Sequence, residues 1–109
     1  MGVDVTLVRV EQRGSGPRRR RASQVDTILD LHDKFARLCE SSTLPTLSRV
    51  DPYGTLILTS SEMDQFISEI EVECMRIEDP AVQNFLKNTL RLARECQKEE
   101  AMQLRLDGD

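Results

Sequence analysis

The chain has 109 residues, 39% of them hydrophobic and 31% charged, and its formal net charge is −4 at pH 7. This length predicts one domain over residues 1–109 with a single core, and it leaves no room for a second domain. The composition is ordinary for a globular protein. No apolar run approaches the ~20 residues that cross a bilayer, which excludes a membrane-spanning class and membrane partners.

Charge and cysteine content restrict the compartment and the chemistry. Residues 1–22 contain six arginines and two acidic residues, a net charge of +4, which leaves −8 for residues 23–109. The first ten residues lack the basic start and the cleavage site of a secretory signal, so we predict a cytoplasmic location. Cys39, Cys74 and Cys96 are odd in number and widely spaced, which suits neither disulfides nor a zinc site, and we predict buried thiols.

The N-terminal part is predicted to contain a strand and a loop. Apolar and polar side chains alternate over residues 3–10, the period-two pattern of a strand. Residues 12–22 have two glycines, a proline and almost no apolar side chain, so they are predicted to form a mobile loop. This loop contains four consecutive arginines: Arg18, Arg19, Arg20 and Arg21.

The first helix is predicted to run from Ser23 to about Ser41. Ser23 followed by Asp26 resembles a helix N-terminal cap with an acidic third position. The apolar residues that follow recur with helical spacing, and they are Val25, Ile28, Leu29, His32, Phe35, Ala36 and Cys39. His32 is the only histidine, and its place on this stripe favours a core or core-edge histidine over a catalytic base.

The middle of the chain is predicted to be a long connection that ends in a turn. Residues 42–54 contain two prolines and no sustained periodicity. Pro52 and Gly54 suit the first central and the last position of a type I turn that Asp51 begins. A short apolar strand is predicted directly afterwards, over residues 55–58.

The second half is predicted to hold two further helices and a final strand. Residues 59–62 form a capping-box sequence that begins the second helix, and Asp79-Pro80 begins the third. Alternation over residues 101–106 predicts the last strand. The order β-α-β-α-α-β indicates a two-layer domain of the α+β class, with α/β as the alternative. Three helices would pack on a small sheet of the terminal strands, with or without residues 55–58.

Catalytic and cofactor motifs are absent from the sequence. There is no Gly-rich phosphate loop and no Gly-x-Ser-x-Gly elbow. The carboxylates at Glu69, Glu71 and Glu73 are interpreted as solvated groups on the outer face of a helix, not as a converging acid pair. We therefore predict no enzymatic activity, no cofactor and no metal.

The turn provides the first candidate contact site, through Arg49, Asp51 and Tyr53. Tyr53 is the only tyrosine, and tyrosine and arginine are enriched in binding hot spots. The alternative is that Tyr53 packs over the core edge, while Asp51 caps the turn or pairs with Arg49. The arginines at positions 18–21 provide the second candidate contact site, because their charge suits phosphates or an anionic surface.

Two segments carry a resemblance to a known group of proteins. Arg49-Val50-Asp51-Pro52-Tyr53-Gly54 and the ending Leu104-Arg105-Leu106-Asp107-Gly108-Asp109 resemble small bacterial proteins of unknown function. These proteins carry an Arg-Ile-Asp-Pro-Tyr-Gly-like turn in mid-chain and end in alternating apolar residues and Gly-Asp. The resemblance covers about the second half of the chain, and it implies a bacterial, intracellular, non-enzymatic protein.

Three functional hypotheses follow from the sequence. The first is a non-enzymatic protein-binding module of the immunity or accessory type, whose acidic body attracts a basic partner such as a nuclease toxin. The alternative is a nucleic-acid-associated regulator that uses Arg18 to Arg21. The third is a small enzyme with a pocket near Arg49, Tyr53 and His32. The sequence also leaves open a homodimer.

Overall fold

A computed structural model describes residues 2–12 and 20–108 of the chain. These residues contain four strands and three helices, and a 3₁₀ turn at Ser60–Glu62 precedes α2. The elements are β1 (Val3–Gln12), β2 (Arg20–Ile28), α1 (Lys34–Ser41), β3 (Thr55–Thr59), α2 (Met63–Arg76), α3 (Pro80–Gln97) and β4 (Met102–Gly108). The predicted α+β class is confirmed.

The four strands form one antiparallel sheet in the order β2-β1-β4-β3. The last strand of the sequence therefore lies between the first strand and β3, and the segment at 55–59 joins the sheet as an edge. Alternate residues of β1 and β4 are buried in the core beside side chains of the helices, for example Val5 and Leu7 with Leu104 and Leu106. The helices cover this face of the sheet, which gives the predicted two layers.

Residues 20–28 form a strand, so the prediction of a helix from Ser23 is wrong. β2 pairs with β1 from Gln12 opposite Arg20 to Val5 opposite Ile28, and it is held by a 2.9 Å contact between the Thr6 and Thr27 hydroxyls. The prediction of a loop over residues 12–22 is wrong for Gln12, which ends β1, and for residues 20–22, which belong to β2. Residues 13–19, including Arg18 and Arg19, lie outside the described residues.

The first helix begins at Lys34, directly after Asp33, whose φ of 60° is left-handed. Phe35, Ala36 and Cys39 are buried as the apolar stripe predicted. The earlier members of the stripe belong to a strand and a turn, where helical spacing has no meaning.

The predicted starts of the other two helices are confirmed. The Thr59 N–H donates to Glu62 Oε1 at 3.1 Å, which completes the capping box at the 3₁₀ turn before α2. Asp79 caps α3 by accepting from the Ala81 N–H at 2.9 Å, with Pro80 at the first helical position. These local signals need no distant partner, which is why the sequence was sufficient to predict them.

Two carboxylates of α2 are buried, so the interpretation of Glu69 and Glu73 as solvated groups is wrong. Glu69 is 2% exposed and accepts hydrogen bonds from the backbone N–H groups of Thr46 and Leu47, each at 2.9 Å. Glu73 is equally buried and pairs with Arg76 at 2.5 Å. Glu69 therefore fixes the 3₁₀ turn at Leu47–Arg49 to α2, and with it the connection that leads to Tyr53.

The cysteines are free, as predicted. Cys39 and Cys96 are buried, whereas Cys74 is half-buried. Burial raises the pKa of the Cys39 thiol strongly and that of Cys96 to about 11. Both thiols therefore remain protonated and unreactive at neutral pH.

Candidate protein-binding surface

The turn at residues 51–54 is held by the side chain that begins it. The Gly54 N–H donates to the Asp51 carbonyl at 3.1 Å, and the Tyr53 N–H donates to Asp51 Oδ1 at 2.8 Å. Tyr53 has a negative φ, which agrees with a type I turn and not with type II. Asp51 therefore caps the turn, which is the role that the alternative interpretation of this segment gave it.

The end of β4 is hydrogen-bonded to the end of this turn. The Gly108 N–H donates to the Gly54 carbonyl at 2.7 Å, and Thr55 Oγ1 donates to Asp107 at 2.8 Å. A Cβ atom on Gly108 would lie 2.2 Å from the Pro52 carbonyl oxygen, so only glycine permits this approach. The two segments that carry the resemblance are thus in contact with each other.

Arg49 pairs with Glu62 and not with Asp51. Its Nη1 lies 3.4 Å from Glu62 Oε2, with both side chains partly exposed. The hydrogen bond from the Thr59 N–H, with a smaller contribution from Arg49, lowers the pKa of the Glu62 carboxyl. Arg49 therefore joins the connection to the cap of α2.

Tyr53 projects into solvent and forms one wall of a cleft. Its side chain is 71% exposed, so the alternative in which the ring packs over the core edge is wrong. Tyr53 and Pro52 face α1 across a cleft of about 180 Å³, in which Arg37 lies with two acidic residues, Asp33 and Glu40. An exposed aromatic ring beside a polar cleft is typical of a contact residue.

A second cleft, of about 190 Å³, lies on the other side of the start of α1. The segment before α1 and the first turns of α3 form its walls, which include Leu29, Leu31 and Phe85. Leu31 is 76% exposed and Leu29 is more than half exposed. We call Leu29, Leu31, Tyr53 and the walls of both clefts the two-cleft surface.

His32 also lines this second cleft, where it is exposed within a turn. The prediction of a core or core-edge histidine is therefore wrong. His32 and Tyr53 belong to different clefts, and Arg49 lines neither of the two. The three residues of the enzyme hypothesis are thus not brought into one pocket.

The segment that carries Leu29 and Leu31 is fixed by the buried carboxylate of Asp30. Asp30 accepts hydrogen bonds from the backbone N–H groups of Val3, Phe35 and Ala36, at 3.0, 3.1 and 2.9 Å. These bonds attach the start of β1 and the first turn of α1 to one side chain. The leucines next to Asp30 are therefore exposed on a rigid frame.

A salt bridge closes the other end of this segment. Lys34 Nζ lies 2.7 Å from Asp79, the residue that caps α3. The hydrogen bond from Lys34, together with that from the Ala81 N–H, lowers the pKa of the Asp79 carboxyl. The two walls of the second cleft are thereby joined at its edge.

The sequence identified Tyr53 but missed Leu29 and Leu31. Leu29 was assigned to the apolar stripe of the predicted helix, and Leu31 was not singled out. The signal that would have found them is the pair of aspartates at positions 30 and 33, since aspartate favours turns and tolerates a left-handed backbone.

The remaining candidate residues that the structure describes do not line either of these two clefts. Arg20 and Arg21 begin β2, and no group of His, Cys, Asp or Glu within residues 2–12 and 20–108 is arranged to hold a metal ion. No helix in the same ranges is both long and apolar enough to cross a bilayer.

Comparisons of the chain with protein-family models, curated proteins and solved structures gave no match. The resemblance carried by the turn and by the C-terminal Gly-Asp therefore stays a prediction.

Proposed function

We propose that the chain is a small non-enzymatic protein-binding module, of the immunity or accessory type, that binds its partner through the two-cleft surface. The observation that supports this most directly is the exposure of Leu31 and Tyr53, at 76% and 71%, on either side of the start of α1. Exposed apolar side chains that line clefts of a globular protein are typical of interaction sites.

The rigid frame of this surface favours binding. Asp30 and the Lys34–Asp79 pair hold the leucine segment, while Asp51 and Gly108 hold the tyrosine turn. Few side chains of this protein would therefore become ordered when a partner binds, and this lowers the entropic cost of association. The apolar cleft at Phe85 would accept an apolar side chain of the partner beside Leu31, while Tyr53 would act as an anchor at the other cleft.

The charge of the chain favours a basic partner. Asp33 and Glu40 line the cleft beside Tyr53 together with a single arginine, and residues 23–109 have a net charge of −8. An acidic surface accelerates association with a cationic protein and suppresses binding to acidic ones. A nuclease toxin is one basic partner of this kind.

The decisive measurement is affinity capture from the source organism with a paired variant. We expect the double variant Leu31→Ser, Tyr53→Ser to capture at least ~10-fold less of a basic protein that the wild type captures, because both changes remove apolar anchors. The matched control is Val72→Ser combined with Met75→Ser, which changes two other exposed apolar residues, both on α2. Quantitative mass spectrometry compares the three baits at low salt.

The outcomes separate binding from folding. Both double variants should change the free energy of unfolding by less than about 1 kcal/mol, since all four side chains are at least half exposed. Equal capture by the wild type and the Leu31/Tyr53 variant would contradict the proposal. If the captured protein is a nuclease, an equimolar amount of the wild type should inhibit its cleavage, and the variant should not.

The arginine segment supports a second candidate function, binding to nucleic acid. β1 and β2 form a hairpin that continues past the end of β4, since Glu11 and Gln12 pair with β2 beyond the register with β4. Arg20 and Arg21 begin β2, and Arg18 and Arg19 directly precede them in the sequence. Replacing Arg18 to Arg21 by alanine should abolish any low-salt mobility shift with DNA or RNA. Absence of a shift with the wild type would remove this candidate.

A further inference from the structure

β3 is an edge of the sheet, and over Thr55 to Leu58 it lacks the usual protection against pairing with another chain, whereas Glu62 covers its Thr59 end. Edge strands are normally protected by charged residues, proline or a bulge. β3 has the sequence Thr-Leu-Ile-Leu-Thr, without charge or proline, and its register with β4 is regular. The other edge, β2, does contain a bulge, because Val25 is skipped between the partners of Leu7 and Val8.

The hydrogen bonds of the sheet identify which groups of β3 point to its free edge. Gly108 N–H donates to the Gly54 carbonyl, and the next pair in the register is Thr55 opposite Asp107. Bonded residues alternate along an antiparallel ladder, so Leu56 and Leu58 bond to β4, whereas Thr55, Ile57 and Thr59 point outward. The hydrogen bond from the Thr59 N–H to Glu62 agrees with this assignment.

The sequence of β3 is the same in both directions, which makes the strand complementary to itself. If two copies pair antiparallel with a two-fold axis at Ile57, Ile57 faces Ile57, Thr55 faces Thr59 and Leu56 faces Leu58. The outward N–H and C=O of Ile57 then bond to their counterparts, and the Thr55 N–H donates to the Thr59 carbonyl of the other copy, which also begins the 3₁₀ turn Ser60–Glu62. Thr59 keeps its bond to Glu62, and the pair gains about four backbone hydrogen bonds.

Burial and charge favour the same arrangement. Ile57 is 48% exposed, and a second strand beside it would cover part of this apolar surface. The chain has a net charge of −4, so two copies repel each other except where a contact is free of charge. β3 itself carries no charge. At the end of β3, Arg49 neutralises Glu62 of the same copy. In the dimer Arg49 would also approach the end of the other copy's β3 at which Asp51 lies.

We propose that the chain forms a two-fold dimer in which β3 pairs antiparallel with β3 of a second copy. The two four-stranded sheets become one sheet of eight strands with both sets of helices on one face. This interface does not depend on the proposed partner binding at the two-cleft surface. It is small, so we expect association in the micromolar to millimolar range.

Sedimentation equilibrium between about 5 μM and 1 mM tests the dimer. The average mass of the wild type should rise from 12.4 kDa towards twice that value and no further. Ile57→Lys places a charge on the two-fold axis and should weaken association at least ~10-fold. Val72→Lys, at a similarly exposed apolar residue on α2, is the matched control and should dimerise as the wild type does.

Amide hydrogen exchange followed by NMR tests the register. Exchange at Thr55 and Ile57 should slow as the protein concentration rises, while Leu56 and Leu58 should be protected at every concentration in the wild type and in Ile57→Lys. Protection of Leu56 and Leu58 also shows that the variant is folded. A wild type that stays monomeric, a mass beyond two copies, or unchanged exchange at Ile57 would each overturn the proposal.

Discussion

Asp30→Ala is expected to lower the free energy of unfolding by about 4 kcal/mol, a large part of the 5–15 kcal/mol typical of a domain. The carboxylate accepts from three backbone N–H groups, those of Val3, Phe35 and Ala36, and all three residues are buried. Each buried donor left without an acceptor costs about 1–3 kcal/mol, with some relief from water entry. Urea denaturation followed by circular dichroism measures the difference.

Two control variants identify the cause of the loss. Asp30→Asn keeps one carbonyl oxygen in place and should cost about half as much. Asp26→Ala removes a nearby carboxylate that pairs with the exposed Arg91 and accepts from one part-buried N–H, that of Thr27, so it should cost only about 1 kcal/mol. Equal effects of Asp30→Ala and Asp26→Ala would show that the buried hydrogen bonds are not what stabilises this corner.

Glu69→Ala is expected to cost about 3 kcal/mol, because it removes the acceptor of the Thr46 and Leu47 N–H groups. Those bonds attach the Leu47–Arg49 turn to α2. Hydrogen exchange should show local opening of residues 46–50 before global unfolding, because the rest of the core does not depend on this contact. A change confined to global unfolding, without earlier exchange at Leu47, would contradict this role.

The stabilisation by Glu69 should also depend on pH. Burial alone would raise the pKa of the Glu69 carboxyl, but the hydrogen bonds from Gln65, Leu47 and Thr46 outweigh it and lower the pKa. A lowered pKa in the folded state gives stability that is fully present above the unfolded value of about 4.3 and is lost as the pH falls through the folded value.

Glu69→Gln is the matched variant for this pH dependence, because it keeps the shape of the side chain and cannot ionise. The difference in unfolding free energy between the wild type and Glu69→Gln should be constant from about pH 7 to 5. It should shrink below about pH 4. A difference that does not change with pH would mean that the charge of Glu69 does not contribute to stability.

The sequence predicted those parts of the fold that depend on neighbouring residues. The cap of α3 by Asp79 and the capping box at Thr59 each involve residues two or three positions apart, and both are present. The turn at Asp51 belongs to the same class. The alternating strands β1 and β4 were also recognised, because burial on one face of a sheet imposes a visible period of two, and β3 was recognised as a short apolar run.

The rest of the fold depends on contacts between residues that are distant in sequence. β2 is a half-exposed edge strand with a bulge, so its apolar residues imitate a helical stripe, and only its pairing with β1 makes it a strand. Glu69 is buried because Thr46, 23 positions away, supplies the hydrogen bond that its charge requires. Leu31 is exposed because Asp30, two residues after the end of β2, bonds to the first turn of α1 and fixes the segment between them.

The central position of β4 determines when the sheet can form. β1 and β3 both bond to β4, which follows the other described elements in sequence, so the three strands cannot assemble until residues 102–108 are available. Long-range strand pairing of this kind slows folding. Until it is complete, the uncharged β3 segment lacks its only described partner, and this interval is the one in which a growing or newly released chain is most exposed to aggregation.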